Sequence, residues 1–320
     1  MMKATTVCCL LLVTVGLAAD QTFKEAVSLY YYGKYDQAVR LLSQISASQG
    51  DAEVHFWLGR ANLKLRKYDD AIRELQEAVR IEPNNGRYHL WLGRAYGEKA
   101  SHVSFFSSPG WARKVAQEFE SAVKLSPQDM EARFDLLQFY LEAPGIVGGG
   151  RAKAEAEAKE IATAKPVQGF RARAMIYEQD KKWAEARQEL TRATTEFPKE
   201  PIAFTNLADF LMDRRDYAGA ESSAGKALEL DQNDVKARFI QSAAAVGLKR
   251  DLPAAEKTLS GLAAGPLENA DPGFEDVYYW LGRTYLEEGK TSEARQAFQT
   301  ALTFDPEHKA AKTALANMHS

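Results

Sequence analysis

The chain has 320 residues, 45% of them hydrophobic and 27% charged, which is ample apolar material for a large core in water. Its 41 lysines and arginines against 44 aspartates and glutamates leave a net charge of −3. That balance supplies no global basic field, so a nucleic-acid partner is not expected. Residues 1–19 differ from the rest: Lys3 precedes an apolar run over 7–19, and Asp20 follows it. This is the layout of a secretory signal, and the run is too short to cross a bilayer comfortably. The only cysteines, Cys8 and Cys9, lie inside it. The expectation is therefore a signal peptide over 1–19, cut after Ala18 or Ala19, and a soluble, exported chain without cysteine. A bacterial periplasm suits it, since large cores need no disulfides there. An uncleaved N-terminal anchor is the alternative, whereas Thr5-Thr6-Val7 before Cys8 matches a lipoprotein box poorly. No stable membrane span is expected once the signal is removed.

Beyond the leader, Trp-Leu-Gly-Arg occurs three times, at 57–60, 91–94 and 280–283, and the first two copies are 34 residues apart. Ala71, Ala78 and Pro83 follow Trp57, and Ala294, Ala301 and Pro306 follow Trp280 at the same offsets. A fixed period of this size points to a repeat architecture. Within one copy, Val54, Trp57, Leu58 and Ala61 recur at helical spacing. Arg66 and Lys67 fall in a turn, and Ala71, Ile72, Leu75, Ala78 and Val79 line one face of a second helix, which Pro83 ends. Each unit reads as two antiparallel helices, with Gly59 and Ala71 small where the pair must approach closely.

The pattern resembles the tetratricopeptide repeat. Its framework reads off as Leu92, Gly93, Tyr96, Phe119, Ala122 and Pro127, and again as Leu281, Gly282, Tyr285, Ala294, Phe298, Ala301 and Pro306. One departure is that Trp57, Trp91 and Trp280 stand two residues later than the family's usual aromatic, where His55, His89 and Tyr278 are found instead. The resemblance implies an all-α fold, a right-handed superhelical solenoid over 20–320. Its eight or so helix-turn-helix units fall at about 20–50, 51–85, 86–129, 130–166, 167–199, 200–234, 235–273 and 274–307, with a polar capping helix over 308–320. Unit three exceeds the family period by about ten residues, around 101–110. Unit four carries the loop Pro144-Gly145-Ile146-Val147-Gly148-Gly149-Gly150, which loosely resembles one in exported bacterial tetratricopeptide proteins. No separate domains are expected within this run.

Catalytic constellations are missing from the sequence. A chain that sheds Cys8 and Cys9 has no thiolate nucleophile or thiolate metal ligand. There is no G-x-S-x-G elbow. His55 and His89, one period apart, read as helix-packing residues, while His102, His308 and His319 lack partners at metal-ligand spacing. Gly145–Gly150 has the spacing of a phosphate loop, but Arg151-Ala152 stands where Lys and Ser/Thr are needed. No catalytic residue, metal or cofactor is expected.

What remains is a binding surface. In the family, the first helix of each unit lines the concave groove. The resemblance places Phe56, Arg60, Leu90, Arg94, Phe134, Arg171, Phe239, Tyr279 and Arg283 there, a row of aromatics and arginines of the kind enriched at binding hot spots. Family members that grip a C-terminal carboxylate use lysine and asparagine at these places. Here Phe56, Leu90 and Tyr279 replace the lysine, and Arg60, Arg94 and Arg283 the asparagine, so an apolar or mixed peptide with acidic groups suits better. The alternative is that the aromatics pack between helices and the arginines pair with nearby glutamates. The insertion offers a second candidate in Phe105, Phe106 and Trp111, as an exposed patch or folded back on its own helices. The implied function is a non-enzymatic scaffold or adaptor for a protein or peptide, or alternatively a chaperone-like or accessory subunit of an envelope enzyme or an export or assembly complex. The sequence leaves its oligomeric state open.

Overall fold

A computed structural model describes residues 20–102, 108–268 and 271–318. They are helical, with no strand among them. The helices are α1 (20–31), α2 (Tyr35–Gln49), α3 (Ala52–Lys64), α4 (Tyr68–Ile81), α5 (Gly86–His102), α6 (Ser108–Leu125), α7 (Met130–Glu142), α8 (Arg151–Ala164) and α9 (Pro166–Gln179). They continue with α10 (Trp183–Glu196), α11 (Pro201–Asp213), α12 (Tyr217–Leu230), α13 (Val235–Gly247), α14 (Leu252–Ala264), α15 (Phe274–Glu287), α16 (Thr291–Phe304) and α17 (Lys309–Asn317). They alternate as first and second helices of successive repeats, and α17 is left single. Two compact units result. One holds the described residues up to Phe139 with Ala143–Gly148; the other holds Tyr140–Glu142 and everything from Gly149 onward.

In the first unit, α3 packs on α4 and α5 on α6. The motif glycine is what lets them close. A Cβ on Gly59 would sit 2.4 Å from Leu75 Cγ, and one on Gly93 only 2.5 Å from the Phe119 ring. The residue four positions earlier ties the same pair with a polar link. His55 Nδ1 lies 2.8 Å from Glu74, and His89 Nδ1 lies 2.6 Å from Glu118. His89 Nε2 also faces the Pro83 carbonyl at 2.9 Å. With acceptors at both ring nitrogens, the imidazole is held above its ordinary pKa. The Glu118 hydrogen bond is the main cause, opposed by desolvation and aided by Pro83. The extra length of the third repeat is taken up largely by helix, since α5 runs 17 residues and α6 runs 18.

In the second unit, α9 packs on α10, α11 on α12, α13 on α14 and α15 on α16. Gly282 repeats the close approach, its absent Cβ standing 2.7 Å from the Phe298 ring. Tyr278, at the place of His55 and His89, stacks on Phe304 at 5.8 Å. Proline at the start of α9, α11 and α14 costs no helical hydrogen bond. Asp216 and Asp234 cap α12 and α13 by accepting from Gly219 N–H at 3.1 Å and Ala237 N–H at 2.9 Å.

Six turns between paired helices, found in both units, share one geometry. Gly33, Arg66, Lys181, Arg215, Lys249 and Gly289 all take a left-handed conformation, with φ between 57° and 77°. The next residue's N–H then reaches back to the carbonyl five residues earlier, as in Lys67 to Asn62 and Lys182 to Tyr177, both at 2.9 Å. This is a Schellman closure, which normally favours glycine. Four of the six copies carry a long basic residue there instead, and only the two glycines avoid the steric cost.

Three measurements test this account. Gly93→Ala should cost roughly 1–3 kcal/mol in urea unfolding, since the buried Phe119 ring has to move. Lys181→Gly, at an exposed left-handed position, should gain up to about 1 kcal/mol, the relieved strain less glycine's added unfolded-state entropy. A raised folded pKa makes the His89 contribution complete below the unfolded value of about 6.5, and lost as pH rises through the folded value. The urea midpoint of the native chain should therefore fall between pH 6 and pH 9 by more than that of His89→Gln.

Candidate functional site

The expected groove residues fare differently in the two units. In the first, Phe56 and Leu90 are buried, at 0% and 1% exposure. Phe56 packs against Tyr88 and Trp57, so it holds helices together and offers no surface to a partner. Arg94 is occupied by the chain itself, donating to Asp135 at 2.6 Å and standing 3.2 Å from Glu131. Phe134 is partly buried on α7. Arg60 is different: its guanidinium carbon lies 4.1 Å from the Trp91 ring centre, 4.4 Å from Trp57 and 4.7 Å from Tyr30. Of the insertion, Phe105 and Phe106 lie outside the described residues. Trp111 is in the first turn of α6 and folds back onto α5, 5.6 Å from the Tyr96 ring, with Lys114 against its face.

In the second unit, Arg171 is paired with Glu178, and Phe239 is buried at 8% exposure. Phe239 nonetheless lines, with Tyr279 and Arg283, a cavity of about 650 Å³. Three first helices build it: α11 contributes Asp209 and Asp213, α13 contributes Lys236, and α15 contributes Trp280 beside Tyr279 and Arg283. Asp271 and Asp276 complete its acidic rim. Lys236 is consumed within the wall, 2.8 Å from Asp209 and against Asp271. Desolvation works against its charge, but those two carboxylates outweigh it and its pKa is raised. The Asp213 carboxyl is also pushed up, by desolvation first and then by Asp209 one turn away. Tyr279 lies 5.4 Å from Trp280 and 5.1 Å from His308, ring to ring.

Arg283 Nη1 donates to the Tyr279 hydroxyl at 3.1 Å, and the guanidinium lies 5.5 Å from the Trp280 ring centre. No carboxylate among the described residues pairs with it. The cavity thus offers two cations without an acidic partner, Arg283 beside two aromatic rings and the exposed Arg215, together with a wall in which Lys236 is tied to Asp209 and Asp271. Lys236, Asp209 and Asp213 are not among the residues expected from the sequence, which are aromatics, arginines and Leu90. The one signal for them was the spacing of Asp209 and Asp213, four residues apart on a single helix face. No helix among the described residues is long and apolar enough to cross a membrane.

Patterns described as tetratricopeptide repeat match residues 23–86, 60–98 and 171–235, and a further one matches 250–318. The unmatched stretches include 99–170, which holds most of the long third repeat and the whole of the fourth. Curated protein sequences yield no match. Among solved structures the chain is similar to the human IFIT1 dimer with m7Gppp-AAAA, at 15% identity over 91% of this chain and 70% of that one, with a TM-score of 0.50. It is also similar to a thermophilic repeat protein of Thermus thermophilus, at 18% identity, 71% and 99% coverage and a TM-score of 0.43. The TPR2AB domain of yeast Sti1 in its complex with pHSP90 matches at 18% identity, 90% and 99% coverage and a TM-score of 0.34. Identities this low speak to the fold alone. Repeat matches over most of the chain, on helix pairs closed at the motif glycines, make it a member of the tetratricopeptide repeat family.

Proposed function

We propose that the chain is a non-enzymatic interaction scaffold, and that the cavity between α11, α13 and α15 holds a peptide segment of a partner protein. The observation that carries this reading is the uncommitted Arg283 at the cavity surface, backed by Tyr279 and Trp280. A cation beside amphipathic rings suits a segment with an acidic side chain next to an apolar or aromatic one. A cavity of about 650 Å³ takes a few such residues rather than a folded domain. The apolar run over 7–19 with its flanking Lys3 and Asp20 supports export, and with it a partner in the bacterial envelope.

A displayed peptide library selected on residues 20–320 tests this. The expected result is a small set of enriched peptides, each with an acidic residue. Arg283→Glu and Tyr279→Ala should weaken them at least about tenfold, near 1.4 kcal/mol, while helix content is unchanged by circular dichroism. An unenriched pool, or peptides that bind Arg283→Glu as well as the native chain, would overturn the reading. Broad enrichment of apolar peptides indifferent to both substitutions would favour a chaperone-like role instead.

A further inference from the structure

Near the end of the chain, the two ring nitrogens of one histidine face partners that favour different protonation states. His308 precedes α17, where α3, α7 and α13 are preceded by Asp51, Asp129 and Asp234. Those carboxylates cap their helices and keep their lone pairs at neutral pH. At α17 an imidazole takes the place. His308 Nδ1 accepts from the Ala311 N–H at 3.1 Å, so in this arrangement Nδ1 carries no proton. The proton of the neutral ring is then on Nε2, which lies 3.4 Å from Asp276 of α15. The ring also lies against Tyr279 of the same helix, 5.1 Å between centres. Only 13% of the His308 side chain is exposed, so the ring is held between the two helices.

A proton added to this ring goes to Nδ1, opposite the Ala311 N–H. The cap is then lost, because two donors face each other, while the contact with Asp276 becomes an ion pair. The acids around the ring favour that proton. Asp276 is the main cause, opposed by desolvation and aided by Asp305 and Glu275, and the His308 pKa is held above its ordinary value. Glu307, Lys309 and Lys312 flank the ring from the turn and from α17, and Lys312 pairs with Glu307 at 2.9 Å. Asp276 and Tyr279 both line the cavity of the second unit. Asp276 pairs with no lysine or arginine among the described residues. Its charge therefore opposes an incoming acid unless His308 carries a proton.

We propose that His308 is a proton switch on the cavity: on protonation it gives up the α17 cap for an ion pair with Asp276, which removes one negative charge from the rim and strengthens the binding of an acidic segment. The effect on binding rests on the scaffold reading, whereas the exchange of partners does not. A ring held above about 6.5 is charged at pH 6 and releases its proton as pH rises through the folded value, so affinity falls in that direction.

The test follows the His308 ring nitrogens and the Ala311 amide of residues 20–320 by heteronuclear NMR between pH 6 and pH 9, first without ligand. The expected result at pH 9 is a proton on Nε2 and none on Nδ1. As pH falls, both ring nitrogens should move to imidazolium shifts, and the Ala311 amide proton should shift with the same midpoint. His308→Asn keeps a capping side chain and cannot take up the proton. At pH 6 its Ala311 amide should be about fivefold better protected from exchange than in the native chain, the effect of one cap. N-acetyl-Phe-Glu-Phe amide should then bind the native chain with a dissociation constant on the order of 1 mM, about threefold more tightly at pH 6 than at pH 9. That dependence should be absent from His308→Asn, and from the uncharged N-acetyl-Phe-Gln-Phe amide. A proton on Nδ1 at pH 9, an Ala311 amide indifferent to the titration of the ring, or a pH dependence that survives in His308→Asn would each overturn the proposal. Binding of the acidic peptide at no pH would overturn the scaffold reading, and the ring and amide titrations would still decide the exchange of partners.

Discussion

Everything in this chain hangs on how closely two helices of a pair can approach. At Gly59, Gly93 and Gly282 a side-chain carbon would fall within 2.4–2.7 Å of Leu75, Phe119 and Phe298. The hydrogen at each glycine lets the partner's large side chain lie across the first helix, so that a leucine or a ring fills the seam completely. Close packing of this kind gathers many dispersion contacts in a small area, and a single added carbon forfeits them. Because the contact recurs at one position of each copy, it also sets where the turn must fall and which face of the second helix turns inward.

The polar groups near that seam follow from the same closeness. A histidine or carboxylate beside a packed interface loses water and must find a partner inside the chain. His55 and Glu74, and His89 and Glu118, satisfy one another between helices of a pair. In the last repeat, tyrosine replaces histidine, and Tyr278 stacks on Phe304 with no charge to satisfy. The position tolerates either solution because what it requires is a flat group spanning two helices.

The periodic part of the fold was legible in the sequence because it repeats: Trp-Leu-Gly-Arg, the small alanines and the prolines state a helix pair at a fixed interval. The turn was less legible. Arg66, Lys181, Arg215 and Lys249 carry no sign of a left-handed backbone, and only Gly33 and Gly289 show it in composition. For the candidate site, the pattern identified first-helix positions but not their exposure. Phe56, Leu90 and Phe239 share a helix face with residues that do reach the surface, and a helix wedged between neighbours buries more than one stripe. Counter-ions were also out of reach, since Asp135 lies 41 residues from Arg94 and Asp271 lies 35 from Lys236.

The three arginines of the motif then separate on one variable, the carboxylate that tertiary structure brings to each. Arg94 receives Asp135 and Glu131 and becomes a structural tie. Arg60 and Arg283 receive rings instead: Tyr30, Trp57 and Trp91 around one, Tyr279 and Trp280 beside the other. A ring orients a guanidinium through its electron-rich face without neutralising it, so the charge stays available. Which arginine becomes a structural tie is therefore set by the acids that the first helix of the next repeat brings to it, Asp135 and Glu131 of α7 in the case of Arg94. By that logic, an acid placed opposite Arg60 or Arg283 would tie it down as Asp135 ties Arg94.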